Sequence, residues 1–206
     1  SDTGSVKEAG YTIKNSDLKA YGTQTISQLL EKSLNTGAIF VEKLVGNKNF
    51  SDYVKRFGFG EPTGIDLVGE SGGNLENLKN LKSNIQFFTA SFGQGIAITP
   101  IQLAAAYNAI ANGGVLMKPQ IVEKIIHADG SEESFAPQEV RRVVSERAAV
   151  QTGNLLRNVV TKDMAKELML RATWLPEKPG QLKLPALVPV DMRKGKISAP
   201  LPDLLP

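Results

Sequence analysis

Residues 23–44 read TQTISQLLEKSLNTGAIFVEKL, and this stretch carries the clearest helical pattern in the chain. Its apolar side chains recur every three or four positions, which is the spacing of one helix face. Thr23 or Thr25 can cap the start of a helix here, and Gly46 can end it. The pattern therefore predicts a helix over residues 25–44 with its apolar stripe in the core.

A polar pair, Ser33 and Asn35, lies inside this pattern. Residues two positions apart do not share a face of a regular helix. The pair converges only if the helix breaks here or if two helices meet here, and Asn35 and Gly37 are poor helix formers that allow a break. A hydroxyl and an amide that meet can relay a proton and orient a substrate amide. An ordinary polar patch on a helix is the commoner explanation, so the pair alone assigns no function.

Shorter patterns on both sides of this stretch predict an α+β fold. The predicted strands are residues 11–15, 120–127 and 133–135, the last two joined at the turn signal Asp129-Gly130. The predicted helices are 50–57 with Ser51 as a cap, 99–111 with Pro100 in its first turn, and 145–160 with Ser145 as its cap. We therefore expect a helix-rich structure with a small antiparallel hairpin.

The composition excludes several kinds of site. The chain has 206 residues and is 41% hydrophobic, so it can bury a core. It has no Cys and one His, which excludes disulfides, a thiol nucleophile and a multi-histidine metal site, and disfavours a Ser-His-Asp triad. That histidine, His127, falls on a predicted strand next to a turn, where a surface role is expected. We expect neither a metal nor another cofactor.

Charge and hydropathy limit the partners. The formal net charge is +3 and the basic residues are dispersed, so we expect no nucleic-acid partner. No apolar run approaches the ~18 residues of a membrane span. The chain opens on Ser1 without an initiator Met, so we expect a piece of a longer protein whose membrane anchor lies elsewhere.

The composition changes near residue 162. Residues 163–206 hold seven of the 11 Pro and the single Trp, but only two of the 19 Gly. So many prolines exclude long helices and central strands. The sequence therefore predicts two regions: a folded domain over residues 1–162, and an irregular Pro- and Leu-rich tail over residues 163–206.

Several blocks in a fixed order give the folded region a family resemblance. They are Tyr21-Gly22-Thr23-Gln24-Thr25, Lys32-Ser33-Leu34-Asn35-Thr36-Gly37, Phe57-Gly58-Phe59-Gly60-Glu61-Pro62-Thr63-Gly64-Ile65-Asp66-Leu67, Ala90-Ser91-Phe92-Gly93-Gln94-Gly95, Thr99-Pro100-Ile101-Gln102-Leu103-Ala104 and Ala111-Asn112-Gly113-Gly114. Together they resemble the transpeptidase domain of class B penicillin-binding proteins. The resemblance covers residues 1 to about 162.

This resemblance implies a partial penicillin-binding-protein/β-lactamase-like transpeptidase fold. It also implies a serine acyltransferase that cross-links peptidoglycan stem peptides through an acyl-enzyme. Such a domain lies on the extracytoplasmic face of the bacterial cytoplasmic membrane and reacts with β-lactam antibiotics. Division or elongation membrane proteins are its expected partners.

The resemblance also assigns site residues. Ser33 and Asn35 match the family's Ser-x-Asn motif, which implies that Ser33 relays a proton and that Asn35 contacts the substrate amide. A substrate-binding role is expected for the residues beside the motif and for a glycine-rich loop near the cleft: Thr36, Gly37, Gly93, Gln94 and Gly95.

Two motifs of the family are missing. The family's nucleophile lies in a Ser-x-x-Lys well before the Ser-x-Asn motif, and no such block precedes Ser33 here. The four residues 16–19 match Ser-x-x-Lys formally, but a match this short is weak, so Ser16 is not taken as a nucleophile. The family's Lys-Thr-Gly should follow Lys162, and residues 163–206 do not contain it.

A shifted reading frame is our hypothesis for the origin of the tail. Back-translated and read one base earlier, residues 163–169 permit Gly-His-Gly-Lys-Arg-Ala-Asp, and residues 177–181 permit Lys-Thr-Gly-Thr. Both are family-like, which suggests a one-base deletion near codon 162. A natural Pro-rich linker is the rival explanation.

Two other functions stay open at this point. A D,D-carboxypeptidase uses water as the acceptor of the acyl group, and acceptor choice is not readable from these residues. A non-catalytic penicillin-binding-like module serves as a scaffold or sensor. We expect the 206-residue chain by itself to be inactive, because it carries one of three catalytic motifs.

Overall fold

The computed structural model describes residues 1–161. Twelve helices and strands and one 3-10 turn, Glu76–Leu78, follow one another along this part of the chain. They are β1 (Ser5–Glu8), β2 (Tyr11–Lys14), α1 (Ile26–Glu31), α2 (Asn35–Val45), α3 (Asn47–Arg56), α4 (Asn84–Ser91), α5 (Pro100–Ala111), β3 (Val115–Met117), β4 (Lys124–Ile126), β5 (Glu132–Ser134), β6 (Glu139–Arg142) and α6 (Glu146–Val159). The predicted tail, residues 163–206, lies outside the described residues.

The strands form three separate antiparallel pairs. They are β1–β2, β3–β6 and β4–β5. The predicted hairpin at Asp129-Gly130 is the β4–β5 pair, and its first strand is shorter than the predicted 120–127. The helix-rich α+β fold with antiparallel strands is therefore confirmed, although β1, β3 and β6 were not predicted.

The single helix predicted over residues 25–44 is wrong, because the chain forms two helices there. Thr25 caps α1 in a capping box with Gln28, as its position suggested. The helix then ends at Glu31, and α2 begins at Asn35. The apolar spacing continues through the break, so periodicity alone does not reveal it. The predicted core stripe is also wrong in part: Ile39 is buried, but Ile26, Phe40 and Leu44 are exposed.

The second predicted helix starts earlier than expected. Gly46 ends α2 with a φ of +80° and at the same time precedes α3, so the two helices follow each other without a loop. The predicted cap, Ser51, is buried inside α3 and does not begin it. Helix α4 was not predicted, because its eight residues give too short a pattern.

The other two predicted helices are confirmed. Thr99 accepts a hydrogen bond from the Gln102 backbone, and Pro100 occupies the first turn of α5. Asn112 and the following glycines end that helix. Ser145 caps α6, which ends within a residue of the prediction.

Two small clusters of buried residues form part of the core of residues 1–161. One lies where α5 packs against β3 and joins Ala105, Ala109, Leu116 and Val143. The other joins Leu78, Phe87 and Ala90, with Phe50 of α3 edge-on to Phe87 at 6.0 Å between ring centroids. Helix α4 also packs against α2. This packing holds α2, the helix whose first residue is Asn35 of the candidate motif.

Within residues 1–161, none of the helices combines the length and the apolar character needed to cross a lipid bilayer.

Helix α2 carries a buried acid. Glu42 is only 2% exposed, and its Oε1 has no hydrogen-bond partner among the described residues. Burial raises the pKa of this carboxyl, and the neighbouring Lys43 opposes the shift without cancelling it. A group with a raised pKa in the folded state stabilises the fold at low pH, and this contribution is lost as the pH rises through that pKa.

Replacing this acid should therefore stabilise the chain at neutral pH. We expect Glu42→Gln to raise the free energy of unfolding by about 1 kcal/mol at pH 7, with the gain disappearing near pH 4. Urea unfolding at the two pH values measures it. Glu123→Gln, at an exposed position, is the matched control and should change neither value. A gain that is equal at both pH values would contradict the raised pKa of Glu42.

Candidate active site

The break between α1 and α2 presents Ser33 to solvent. After α1 ends, the Ser33 N–H donates to the Leu30 carbonyl at 3.1 Å and the Leu34 N–H donates to the Leu29 carbonyl at 3.1 Å. These two bonds form a Schellman motif, whose left-handed position is usually glycine. Here Ser33 occupies it with a φ of +50°. The hydroxyl is therefore held on a sharp, exposed turn between two helices.

Asn35 is the first residue of α2, on the other side of this turn. Its Nδ2 donates to the Lys14 carbonyl at the end of β2, at 2.9 Å. That bond uses one of the two N–H groups of the amide, so the second N–H and the Oδ1 stay available for other partners. The structure therefore places Ser33 and Asn35 at the same break, where the end of α1 meets the start of α2.

The start of α2 is capped from a distant residue. Leu34 stands at the N-cap and makes no side-chain cap. Instead the Thr36 N–H donates to Asn15 Oδ1 at 3.2 Å, and the Thr36 hydroxyl oxygen lies 3.1 Å from the same oxygen. Asn15 lies directly after β2, so the β1–β2 hairpin closes this helix end.

Asp2 completes the arrangement. One carboxylate oxygen of Asp2 accepts hydrogen bonds from the Gly4 N–H and the Thr36 hydroxyl, and the other accepts from Asn15 Nδ2 and the Tyr21 N–H. Desolvation raises the pKa of Asp2, but these bonds outweigh it and lower the pKa below the usual value. The network of Asp2, Asn15 and Thr36 is called the cap network below. Its stabilisation is present above the usual Asp pKa and is lost as the pH falls.

A cation–π contact holds Lys32, the residue before Ser33. The Lys32 ammonium lies over the Tyr21 ring, 4.3 Å from its centroid. The Tyr21 hydroxyl donates a hydrogen bond to Asp17. This bond lowers the pKa of Asp17 and raises that of Tyr21. The loop after β2 is thereby attached to the end of α1.

The predicted substrate-binding residues Thr36 and Gly37 lie on the inner side of the break. The Thr36 hydroxyl is buried in the cap network. A Cβ on Gly37 would lie 2.3 Å from Leu29 Cγ, so a glycine is needed for α1 and α2 to approach. Both residues line a cavity of about 310 Å³, whose other walls include Ile26, Leu34 and Phe40. Their contact with substrate stays a prediction.

The glycine-rich loop follows α4. Gly93, Gln94 and Gly95 form an exposed turn after α4. The Gln94 N–H donates to the Thr89 carbonyl, and Asn77 Nδ2 donates to the Gly95 carbonyl at 2.6 Å. None of these hydrogen bonds involves Ser33 or Asn35. Its substrate-binding role also stays a prediction.

The remaining candidates are surface residues. Ser16 lies in an exposed turn and Lys19 follows it, with a left-handed Leu18 between them, so the two are not on one helix as in a Ser-x-x-Lys nucleophile motif. His127 is half-exposed, and its Nε2 is 3.9 Å from the Glu133 carboxylate. Within the described part of the chain, no three acidic or histidine side chains are grouped as metal ligands.

Sequence reasoning missed Asn15 and Asp2. Their bonds to Thr36 join residues 21 and 34 positions apart, and no local pattern signals such contacts. A polar residue directly after a short strand is the one available signal, and it is common in turns.

The left-handed conformation of Ser33 predicts a stabilising substitution. A non-glycine residue in this region costs about 1–2 kcal/mol, so Ser33→Gly should raise the free energy of unfolding by about 1 kcal/mol. Ser33→Ala retains the strain and serves as the control, with little expected change. Denaturant unfolding compares the three proteins. Destabilisation by Ser33→Gly would mean that the hydroxyl makes a structural contact that outweighs the strain.

Comparison with known proteins places these residues in a family. Residues 1–172 match the family model described as the penicillin binding protein transpeptidase domain. The match runs past residue 162, where the composition changes. It agrees with the resemblance found in the sequence blocks.

Curated relatives show the same likeness. Stage V sporulation protein D of Bacillus subtilis is 30% identical over 181 residues, which are 87% of this chain and 28% of that protein. Peptidoglycan D,D-transpeptidase FtsI of Escherichia coli is 35% identical over 135 residues, 66% of this chain and 22% of that protein. The chain thus spans roughly a quarter of the length of these relatives.

A solved structure confirms the fold. Penicillin-binding protein 3 of Mycobacterium tuberculosis, in complex with aztreonam, superposes with a TM-score of 0.73 at 31% identity. The match covers 79% of this chain and 36% of that one. The predicted class B family and its penicillin-binding-protein fold are confirmed, and the chain belongs to the penicillin-binding-protein transpeptidase domain family.

Proposed function

We propose that the protein containing these residues is a serine D,D-transpeptidase that cross-links peptidoglycan stem peptides. Family membership supports the reaction class. The observation that carries the role of this chain is the break at Ser33. It holds an exposed hydroxyl on a strained turn beside Asn35, whose amide is fixed to the Lys14 carbonyl. Groups held rigidly in this way can orient a substrate and move a proton.

The proposed reaction has two steps. A serine hydroxyl supplied from outside residues 1–206 attacks a stem-peptide carbonyl, forms an ester and expels the terminal residue as an amine. The amino group of an acceptor peptide then attacks the ester, which forms the cross-linking amide and releases the serine. In each step a proton passes between the serine oxygen and the amine. Ser33 relays that proton, and Asn35 donates an N–H to the substrate amide.

The setting follows from the same proposal. The domain acts on the extracytoplasmic face of the cytoplasmic membrane, with stem peptides as substrates and β-lactams as covalent inhibitors. Division or elongation membrane proteins are its proposed partners. Names of relatives support the substrate and the inhibitors: one is called a peptidoglycan D,D-transpeptidase, and a structural relative is described in complex with aztreonam. We also propose that residues 163–206 are translated out of frame and that the Lys-Thr-Gly lies in the other frame.

Covalent labelling tests the proposal. The locus is sequenced again, the whole open reading frame that contains these codons is expressed, and the rate of labelling by a fluorescent penicillin is measured. We expect labelling of a serine upstream of Ser33. We expect Ser33→Ala and Asn35→Ala to slow acylation by about a hundredfold or more, because positioned proton transfer contributes that much. Ser16→Ala is the matched control and should label at the unaltered rate.

Two results would overturn this assignment. One is a complete reading frame whose protein forms no adduct. The other is an adduct whose rate of formation is unaffected by Ser33→Ala. The 206-residue chain alone should form no adduct, and one mapped to Ser16 would make Ser16 the nucleophile.

A further inference from the structure

We propose that Asn15 is a positioning residue for the candidate active site. Its side-chain amide caps α2 from the end of β2, and it thereby determines where Ser33 and Asn35 stand. The inference rests on the proposed function, because it assigns Asn15 a role in acylation beyond its contribution to stability. Asn15, which directly follows β2, is separated from α2 in the sequence by the whole of α1.

The geometry of Asn15 leaves its side chain one orientation. It is 2% exposed. Its Oδ1 accepts a hydrogen bond from the Thr36 N–H, and its Nδ2 donates to Asp2 Oδ2 at 3.0 Å and to the Lys19 carbonyl at 2.9 Å. An amide turned the other way would present donors to the Thr36 N–H and an acceptor to the Asp2 carboxylate. These three bonds therefore fix which atom of the amide faces α2.

The Asn15 cap is adjacent to the hydrogen bond that holds Asn35. Consecutive residues Lys14 and Asn15 hold consecutive residues Asn35 and Thr36, through the Lys14 carbonyl and the Asn15 side chain. A displacement at the end of β2 therefore displaces both bonds together. Since Ser33 is two residues before Asn35 on a turn closed by the bonds of the Schellman motif, it moves with them.

A cap supplied by a residue next to its own helix does not attach that helix to another element. Helices α1, α5 and α6 are capped by Thr25, Thr99 and Ser145, each adjacent in sequence to the helix that it caps. Such a cap stabilises a helix without attaching it to another element. The Asn15 cap attaches α2 to a hairpin, and the cost of losing it includes a change in the position of the motif.

Asn15→Asp tests the proposal with almost no change in shape. At neutral pH the substitution replaces the N–H donor to Asp2 with a second carboxylate oxygen, 3.0 Å from Asp2 Oδ2. It also removes the N–H group that donates to the Lys19 carbonyl. Adding Asp2→Asn restores a donor between the two side chains. We expect Asn15→Asp to slow acylation of the full-frame protein by about tenfold to a hundredfold, the range expected for a small misplacement of a catalytic group. The double variant should recover part of this loss.

Gln102 offers the matched control. It is 1% exposed, and it holds α5 to a distant loop through the Glu61 and Gly72 carbonyls. Gln102→Leu should lower the melting temperature, as Asn15→Asp does, but leave the acylation rate unchanged. Amide spectra of the 206-residue chain supply a readout that does not depend on acylation. The Ser33 and Asn35 signals should move in Asn15→Asp, return towards their original positions in the double variant, and stay in place in Gln102→Leu.

The outcomes separate the two proposals. If the unaltered full-frame protein forms no adduct while the spectra behave as expected, the proposed function fails and the role of Asn15 in acylation fails with it. Only the structural part then stands, which is that Asn15 sets the positions of Ser33 and Asn35. If Asn15→Asp and Gln102→Leu slow acylation alike, or if the Ser33 signal does not move, Asn15 is a stability residue and the positioning role is overturned.

Discussion

The hydrogen bond from the Thr36 N–H to Asn15 Oδ1 is the contact on which the candidate active site depends. A helix leaves its first N–H groups without intrahelical partners, and Leu34 at the N-cap of α2 cannot supply one. Asn15 supplies it from the β1–β2 hairpin, and Asp2 holds Asn15 in turn. The bond therefore joins two elements that are far apart in the sequence, and the Ser33 turn lies between them.

Two further constraints complete this turn. Ser33 adopts a left-handed conformation where a glycine would be less strained, and Gly37 has no side chain where α1 approaches α2 through Leu29. Gly37 thus allows α1 and α2 to pack closely, whereas Ser33 presents its hydroxyl to solvent. An exchange of these two residue types would relieve the strain at position 33 and separate the helices at position 37. Strain at an exposed polar residue is typical of sites at which function limits stability.

The sequence predicted those parts of the fold that have local signals. Helix α5 has a cap, a proline in its first turn and glycines at its end within one stretch, and its bounds agree with the prediction. The break at residue 33 was allowed by the spacing of the polar pair but was not seen in the apolar pattern, which continues through it. Strands β3 and β6 pair across the whole β4–β5 hairpin, and strand β1 is joined to β2 by Ala9 and Gly10, both left-handed, without the usual Asn-Gly or Asp-Gly signal. Ser33 and Asn35 were found through the order of family motifs, whereas the residues that hold them depend on contacts between distant positions.

Amide hydrogen exchange at Thr36 tests the central claim most directly. In the 206-residue chain the Thr36 amide is the second of α2, a position that exchanges rapidly when a helix end is open. If Asn15 caps α2, this amide is protected to the same extent as that of Ile39 inside the helix, and the protection is lost in Asn15→Asp. If the Thr36 amide exchanges as fast as that of Arg147, the second residue of α6, the end of α2 is open in solution. The β1–β2 hairpin would then not position the Ser33–Asn35 motif.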